Sequence, residues 1–165
     1  MEVNKMQTIY EIEPTLDFNN IPDVENKEVE KYYQNVKCIK PNTRMACGDL
    51  CFNYALNKLA GEVSRRMKSC NDGFYILNDY FKQIPITEAK KGDIITYHEI
   101  SDFKIKYEKP CEANCLHFAV IAETAGTLEN TIIKSKWGNN GVFIGQIQAV
   151  PDTYGTGVVI WRRNY

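Results

Sequence analysis

The sequence predicts an α+β fold, with N-terminal helices followed by an antiparallel β-sheet, and three observations carry that prediction. Apolar residues recur at helical spacing in two stretches, near 49–63 and 74–84. After Lys91-Gly92-Asp93 the period shortens to that of strands. The gaps at Thr124-Ala125-Gly126 and Trp137-Gly138-Asn139-Asn140-Gly141 are short enough to join neighbouring strands as hairpins. Helices and then a run of strands is the α+β pattern.

The elements follow in chain order. Residues 1–36 are rich in acids and hold one alternating run, Thr8-Ile9-Tyr10-Glu11-Ile12, which suits a short strand. This stretch reads as an adorning segment, and 37–165 as the single domain. The first helix starts near Asp49, whose carboxylate can cap the amides that follow. It continues through Phe52, Ala55, Leu56, Leu59 and Val63. The second is signalled by Asn71-Asp72-Gly73, runs through Phe74, Leu77, Phe81 and Ile84, and is stopped by Pro85. Strands are expected from Ile94 to Tyr97, Phe103 to Tyr107, His117 to Glu123, Thr131 to Ser135, Gly141 to Gln148 and Val158 to Arg162.

Composition narrows the function. The 165 residues, 44% hydrophobic and 25% charged, suit one folded domain with a real core. With 20 Lys+Arg against 21 Asp+Glu the net charge is -1, so nothing global would hold nucleic acid or an anionic membrane. No stretch approaches the ~20 apolar residues of a membrane-spanning helix, and the opening Met1-Glu2-Val3-Asn4-Lys5 does not lead into an apolar signal core. A reducing cytoplasm is therefore expected, and the six cysteines read better as thiols, metal ligands or a nucleophile than as disulfides.

Cys51 falls where the first helix begins, and the unpaired amides and positive dipole end there favour a thiolate. A buried structural thiol is the simpler reading of any one cysteine. The chain holds two histidines, His98 at the end of one strand and His117 at the start of another, in Leu116-His117-Phe118-Ala119-Val120. A thiol at a helix start followed by an imidazole on a strand has the parts for nucleophilic catalysis, the imidazole taking the thiol proton and returning it to the leaving group.

Three blocks, in order, resemble the papain-like cysteine peptidases and amidases. Cys47-Gly48-Asp49-Leu50-Cys51-Phe52 is similar to the block that carries the nucleophile. Leu116-His117-Phe118-Ala119-Val120 is similar to the His-Ala-Val strand, and Lys134-Ser135-Lys136-Trp137-Gly138 to the Lys-Asn-Ser-Trp-Gly block. Lys91-Gly92-Asp93-Ile94 looks like the strand opening of the compact NlpC/P60 and CHAP branches. The resemblance implies a papain-like fold, with Cys51 as nucleophile, His117 as base and acid, Ser135 as the group orienting the imidazole, and Trp137 shielding that contact. The nucleophile block has one extra residue between its cysteines; Cys51 is preferred because it lies in the first turn after Asp49, whereas Cys47 lies in the preceding loop. Met45 stands where papain keeps a glutamine, so the oxyanion hole would rest on backbone amides, chiefly that of Cys51, helped by Asn42 or Thr43.

The expected activity is hydrolysis of a peptide, isopeptide or related amide through a Cys51 thioester, on a peptide or protein substrate and with no cofactor. Two alternatives stand beside it. One is a non-catalytic papain-like binding module, kept open by Ser135 in place of Asn and by the missing glutamine. The other is a zinc-stabilised interaction module built on the C-x3-C pairs Cys47/Cys51 and Cys111/Cys115, with His117 as a further ligand. Cys38, Cys70 and the basic group Arg65-Arg66-Lys68 carry no assignment.

Overall fold

The computed structural model describes residues 9–15, 36–40, 55, 70–99, 115–136 and 142–164. Its elements are β1 (Tyr10–Glu11), β2 (Val36–Lys40), α1 (Cys70–Tyr80), β3 (Phe81–Ile84), β4 (Ile94–His98), β5 (Cys115–Glu123), β6 (Ile132–Lys136), β7 (Val142–Gln146) and β8 (Gly157–Arg163). Single 3-10 turns lie at Ile86–Glu88 and Asp152–Tyr154. The strands form one sheet in the order β1-β8-β4-β5-β6-β7-β2, with every pairing antiparallel. Beyond β4, β8 is flanked by two short strands laid end to end: β1 pairs with its start (Tyr10 opposite Val158) and β3 with its end (Ile84 opposite Ile160).

This architecture corrects the expectation of a papain-like arrangement with N-terminal helices followed by a sheet. Among the described residues α1 is the one α-helix with defined bounds; two strands precede it, and antiparallel sheet dominates. Of the predicted first helix only Ala55 is described, helical in backbone and buried. Asp49, Phe52, Leu56, Leu59 and Val63 lie outside the described residues, as does the strand expected over 103–107.

The second predicted helix is split in two. Phe74 and Leu77 are buried on α1, but Phe81 and Ile84 belong to β3. Residues three apart lie on one face of a helix and on opposite faces of a strand. Phe81 joins the core cluster beneath α1, and Ile84 joins the cluster across the sheet. The short apolar spacing fitted both periods, and pairing with β8 decided it. The carbonyl of Tyr80, at the end of α1, accepts from Asn164 N at 2.8 Å, so the helix end is satisfied by the chain leaving β8.

Alternation along the strands builds two cores. On the α1 side Ile94, Phe118, Val159 and Trp161 pack with Phe74, Leu77, Phe81 and Ala55. On the other side Ile95, Tyr97, Ala119, Ile121, Ile133, Val158 and Ile160 pack with Ile12, Ile147 and Val150. Both faces of the central strands are therefore buried, which explains why β4 and β8 read as near-continuous apolar runs. The N-terminal segment takes part: Ile12 is buried, its N–H reaches Thr156 O, and the Tyr10 hydroxyl accepts from Ile86 N.

The Lys91-Gly92-Asp93 turn fixes the start of β4. Gly92 has φ 93°, and the Asp93 carboxylate accepts from Lys90 N and, through both oxygens, from Arg162 at 3.0 and 2.7 Å. Asp93 is thus a staple between this turn and β8. Among the described residues no helix is long and apolar enough to cross a membrane.

Candidate functional site

The chemistry-bearing side chains gather at one end of the sheet because adjacent strands run antiparallel. β4 ends at His98, β5 begins at Cys115, β6 ends just past Ser135, and β8 begins at Gly157. Tyr97 lies opposite His117 and His98 opposite Cys115, with a bulge between the two pairs. The extra residue, Leu116, is exposed. It turns Cys115 to the α1 side while His117 stays on the other.

On the face away from α1, His117 is 1% exposed. Its imidazole lies flat on the Tyr154 ring, with centroids 3.8 Å apart and planes 6° from parallel. The Tyr97 ring meets it at 5.4 Å and 56°. The Tyr97 hydroxyl donates to Ile147 O at 2.6 Å, and burial pushes this phenol's pKa well above its ordinary value. Among the described residues, Nε2 of His117, itself buried, has no hydrogen-bond partner. A buried nitrogen of this kind ordinarily finds a partner, and one left open at a strand end marks a place where an incoming group can be met.

Tyr154 is held by its own turn. Its N–H closes the 3-10 turn onto Pro151 O, and Gly155 follows with φ 100°. A Cβ on Gly155 would meet the His98 carbonyl carbon at 2.5 Å and Glu99 N at 2.8 Å. The backbone of the turn is therefore pressed against the end of β4, and only glycine permits that approach.

The α1 face carries the second histidine. His98 is fully buried, its Nε2 lies 2.7 Å from Thr96 Oγ1, and the same hydroxyl accepts from Trp161 Nε1 at 2.8 Å. Phe74 of α1 packs edge-on against both His98 and Trp161, at 5.7 and 5.6 Å. Thr96 and Trp161 thus orient His98 as a unit. Alternation from His98 back to Thr96 carries this signal in the sequence, but the cross-strand contact to Trp161 does not. Tyr154 lies outside any periodic pattern and had no sequence signal.

Of the residues predicted to act, His117 and Ser135 share the face away from α1. Ser135 is buried. Continuing the Val120–Lys134 and Ile121–Ile133 register by one step sets it opposite Ala119, diagonal to His117. Among the described residues Ser135 makes no hydrogen bond to Nε2 of His117, which has no partner there. The ring contacts of His117 are with Tyr154 and Tyr97. Cys51, Asn42, Thr43 and Trp137 lie outside the described residues, as do Cys47 and Cys111 of the zinc alternative. Among the described residues no cluster of three or more His, Cys, Asp or Glu side chains is placed to hold a metal ion. No protein family, curated protein or solved structure matches the chain.

Proposed function

We propose that this protein is a thiol-dependent hydrolase of peptide, isopeptide or related amide bonds, with Cys51 as nucleophile and His117 as general base and acid. The observation that carries the reading is the His117 imidazole, buried at the sheet end, clamped by two aromatic rings and open at Nε2. In the forward step the imidazole takes the Cys51 thiol proton and the sulfur adds to the amide carbonyl. The C–N bond then breaks as the imidazolium returns the proton to the departing amine. Water attacks the thioester with the same imidazole as base, releasing the acid and restoring the thiol.

The test is selective labelling. Iodoacetamide at neutral pH, with the modified residue mapped by mass spectrometry, should modify Cys51 well ahead of the other five thiols, and Cys51→Ala should remove the fast phase without loss of fold. Equal labelling of all six would favour the non-catalytic binding module. Stoichiometric zinc in purified protein would favour the metal-stabilised one.

One observation favours a second base. Ala55, the one described residue of the stretch in which the sequence predicts the Cys51 helix, is buried in the α1-side cluster that also holds Cys115, and His98 is on that side. In this reading His98, oriented by Thr96 and Trp161, takes the proton in place of His117.

A further inference from the structure

Resting on the reading of His117 as the base, we propose that Tyr154 is its positioning residue, holding the imidazole by ring stacking where a papain-like site would use a hydrogen bond. An imidazole on a strand can turn about two side-chain bonds, and a base must keep one nitrogen aimed at the thiol through two proton transfers. Ordinarily an acceptor on the far nitrogen does this. Here, among the described residues, no hydrogen bond at Nε2 fixes the ring, and Ser135 stands diagonal to His117, opposite Ala119. What restrains the ring is contact from both neighbours: Tyr154 face to face at 3.8 Å, and Tyr97 tilted at 5.4 Å.

Both restraining rings are themselves anchored. Tyr97 is tied by its hydroxyl to Ile147 O. Tyr154 is fixed by the 3-10 turn closed on Pro151 O and by Gly155, which fits against the His98 backbone without room for a Cβ. Among the described residues these two phenols, one from β4 and one from the turn, are the titratable groups in ring contact with His117. Tyr154 therefore orients the base through its ring.

The experiment compares Tyr154→Phe, which keeps the ring, with Tyr154→Leu, which removes it. Alkylation of Cys51 by iodoacetamide is followed at pH 7 and at pH 10, where an ordinary thiol is already ionised. Tyr154→Leu should slow the pH 7 reaction by about tenfold and leave the pH 10 rate unchanged, and Tyr154→Phe should stay within about twofold of the parent at both, as expected for losing and keeping one stacked ring contact. Equal slowing at both pH values would mean a merely structural role and overturn the proposal. No slowing at pH 7, with Cys51 still hyper-reactive, would overturn it while leaving the hydrolase reading intact. A parent protein whose Cys51 is no faster than its other thiols would instead defeat the hydrolase reading. Should Tyr154→Leu fail to fold, the unaltered protein decides: stacking on Tyr154 must shift the His117 ring protons upfield in the NMR spectrum, and unshifted resonances refute it.

Discussion

Replacing Gly155 by alanine puts the packing of the site to a quantitative test. Gly155 adopts φ 100°, a conformation that costs an L-residue about 1–3 kcal/mol. A Cβ there would also stand 2.5 Å from the His98 carbonyl carbon and 2.8 Å from Glu99 N, with the His98 oxygen closer still. These are backbone atoms at the end of a strand paired on both sides and cannot swing aside, so overlap adds about 1–3 kcal/mol. The sum, about 2–6 kcal/mol, corresponds to a fall in Tm of roughly 5–20 °C for a chain of this size. Two internal controls separate the contributions. Gly92 has φ 93° with nothing within 4 Å of the added atom, and Gly126 has φ 83° with its nearest neighbour at 3.6 Å, an ordinary contact. Gly92→Ala and Gly126→Ala should therefore show the conformational cost alone. Thermal melts and urea titrations of the three variants give the comparison. Gly155→Ala melting no lower than Gly92→Ala would refute the close approach of the turn to β4.

Three further outcomes follow from named contacts. Tyr97→Phe should cost about 1–3 kcal/mol at neutral pH, because Ile147 O is left buried without its donor. It should also alter the alkaline limb of stability. The folded protein holds the Tyr97 phenol above its ordinary value, so its contribution is intact below about pH 10 and is lost as pH rises from there through the raised folded value. The parent should show that alkaline loss in pH-dependent urea melts, and Tyr97→Phe should lack it. Arg162→Lys breaks a two-point contact with Asp93 and a bond to Glu88 O, and since Arg162 is partly exposed the loss should be modest, about 1 kcal/mol or a 2–4 °C fall in Tm. Ser135→Ala removes a buried hydroxyl, so stability should fall by about 1–3 kcal/mol, while Cys51 alkylation at neutral pH should stay at the parent rate. Slower alkylation in that variant would give Ser135 the orienting role after all.

Much of the sheet was legible because alternation is strong where both faces are buried. Ile94 to Tyr97, His117 to Glu123 and Val158 to Arg162 all fall within strands that extend one or two residues further. What misled was the stretch from Phe74 to Ile84, where apolar residues three and four apart describe a helix equally well. Only the pairing of Phe81–Ile84 with β8 resolves it, and a non-local partner leaves no mark in the local sequence. The same limit applies to the site. His117 could be picked out by type and position, but its surroundings could not: Tyr154 comes from a turn 37 residues on, and the unfilled Nε2 depends on the register that sets Ser135 opposite Ala119. Asp93 shows the converse, a carboxylate in a motif that suggested family resemblance and that the structure employs as a staple to Arg162.

The claim that a buried histidine on the face away from α1 activates Cys51 is tested most directly by the rate of Cys51 alkylation at pH 7 in His117→Gln and His98→Gln, each confirmed folded by its melt. The account predicts that His117→Gln lowers that rate toward those of the other five thiols, while His98→Gln leaves it within about twofold of the parent, the imidazole that shares a proton with the thiol being the one whose loss removes thiolate at neutral pH. The reverse pattern would move the base to His98, across the sheet and beside Thr96 and Trp161, and an unchanged rate in both variants would contradict the catalytic account altogether.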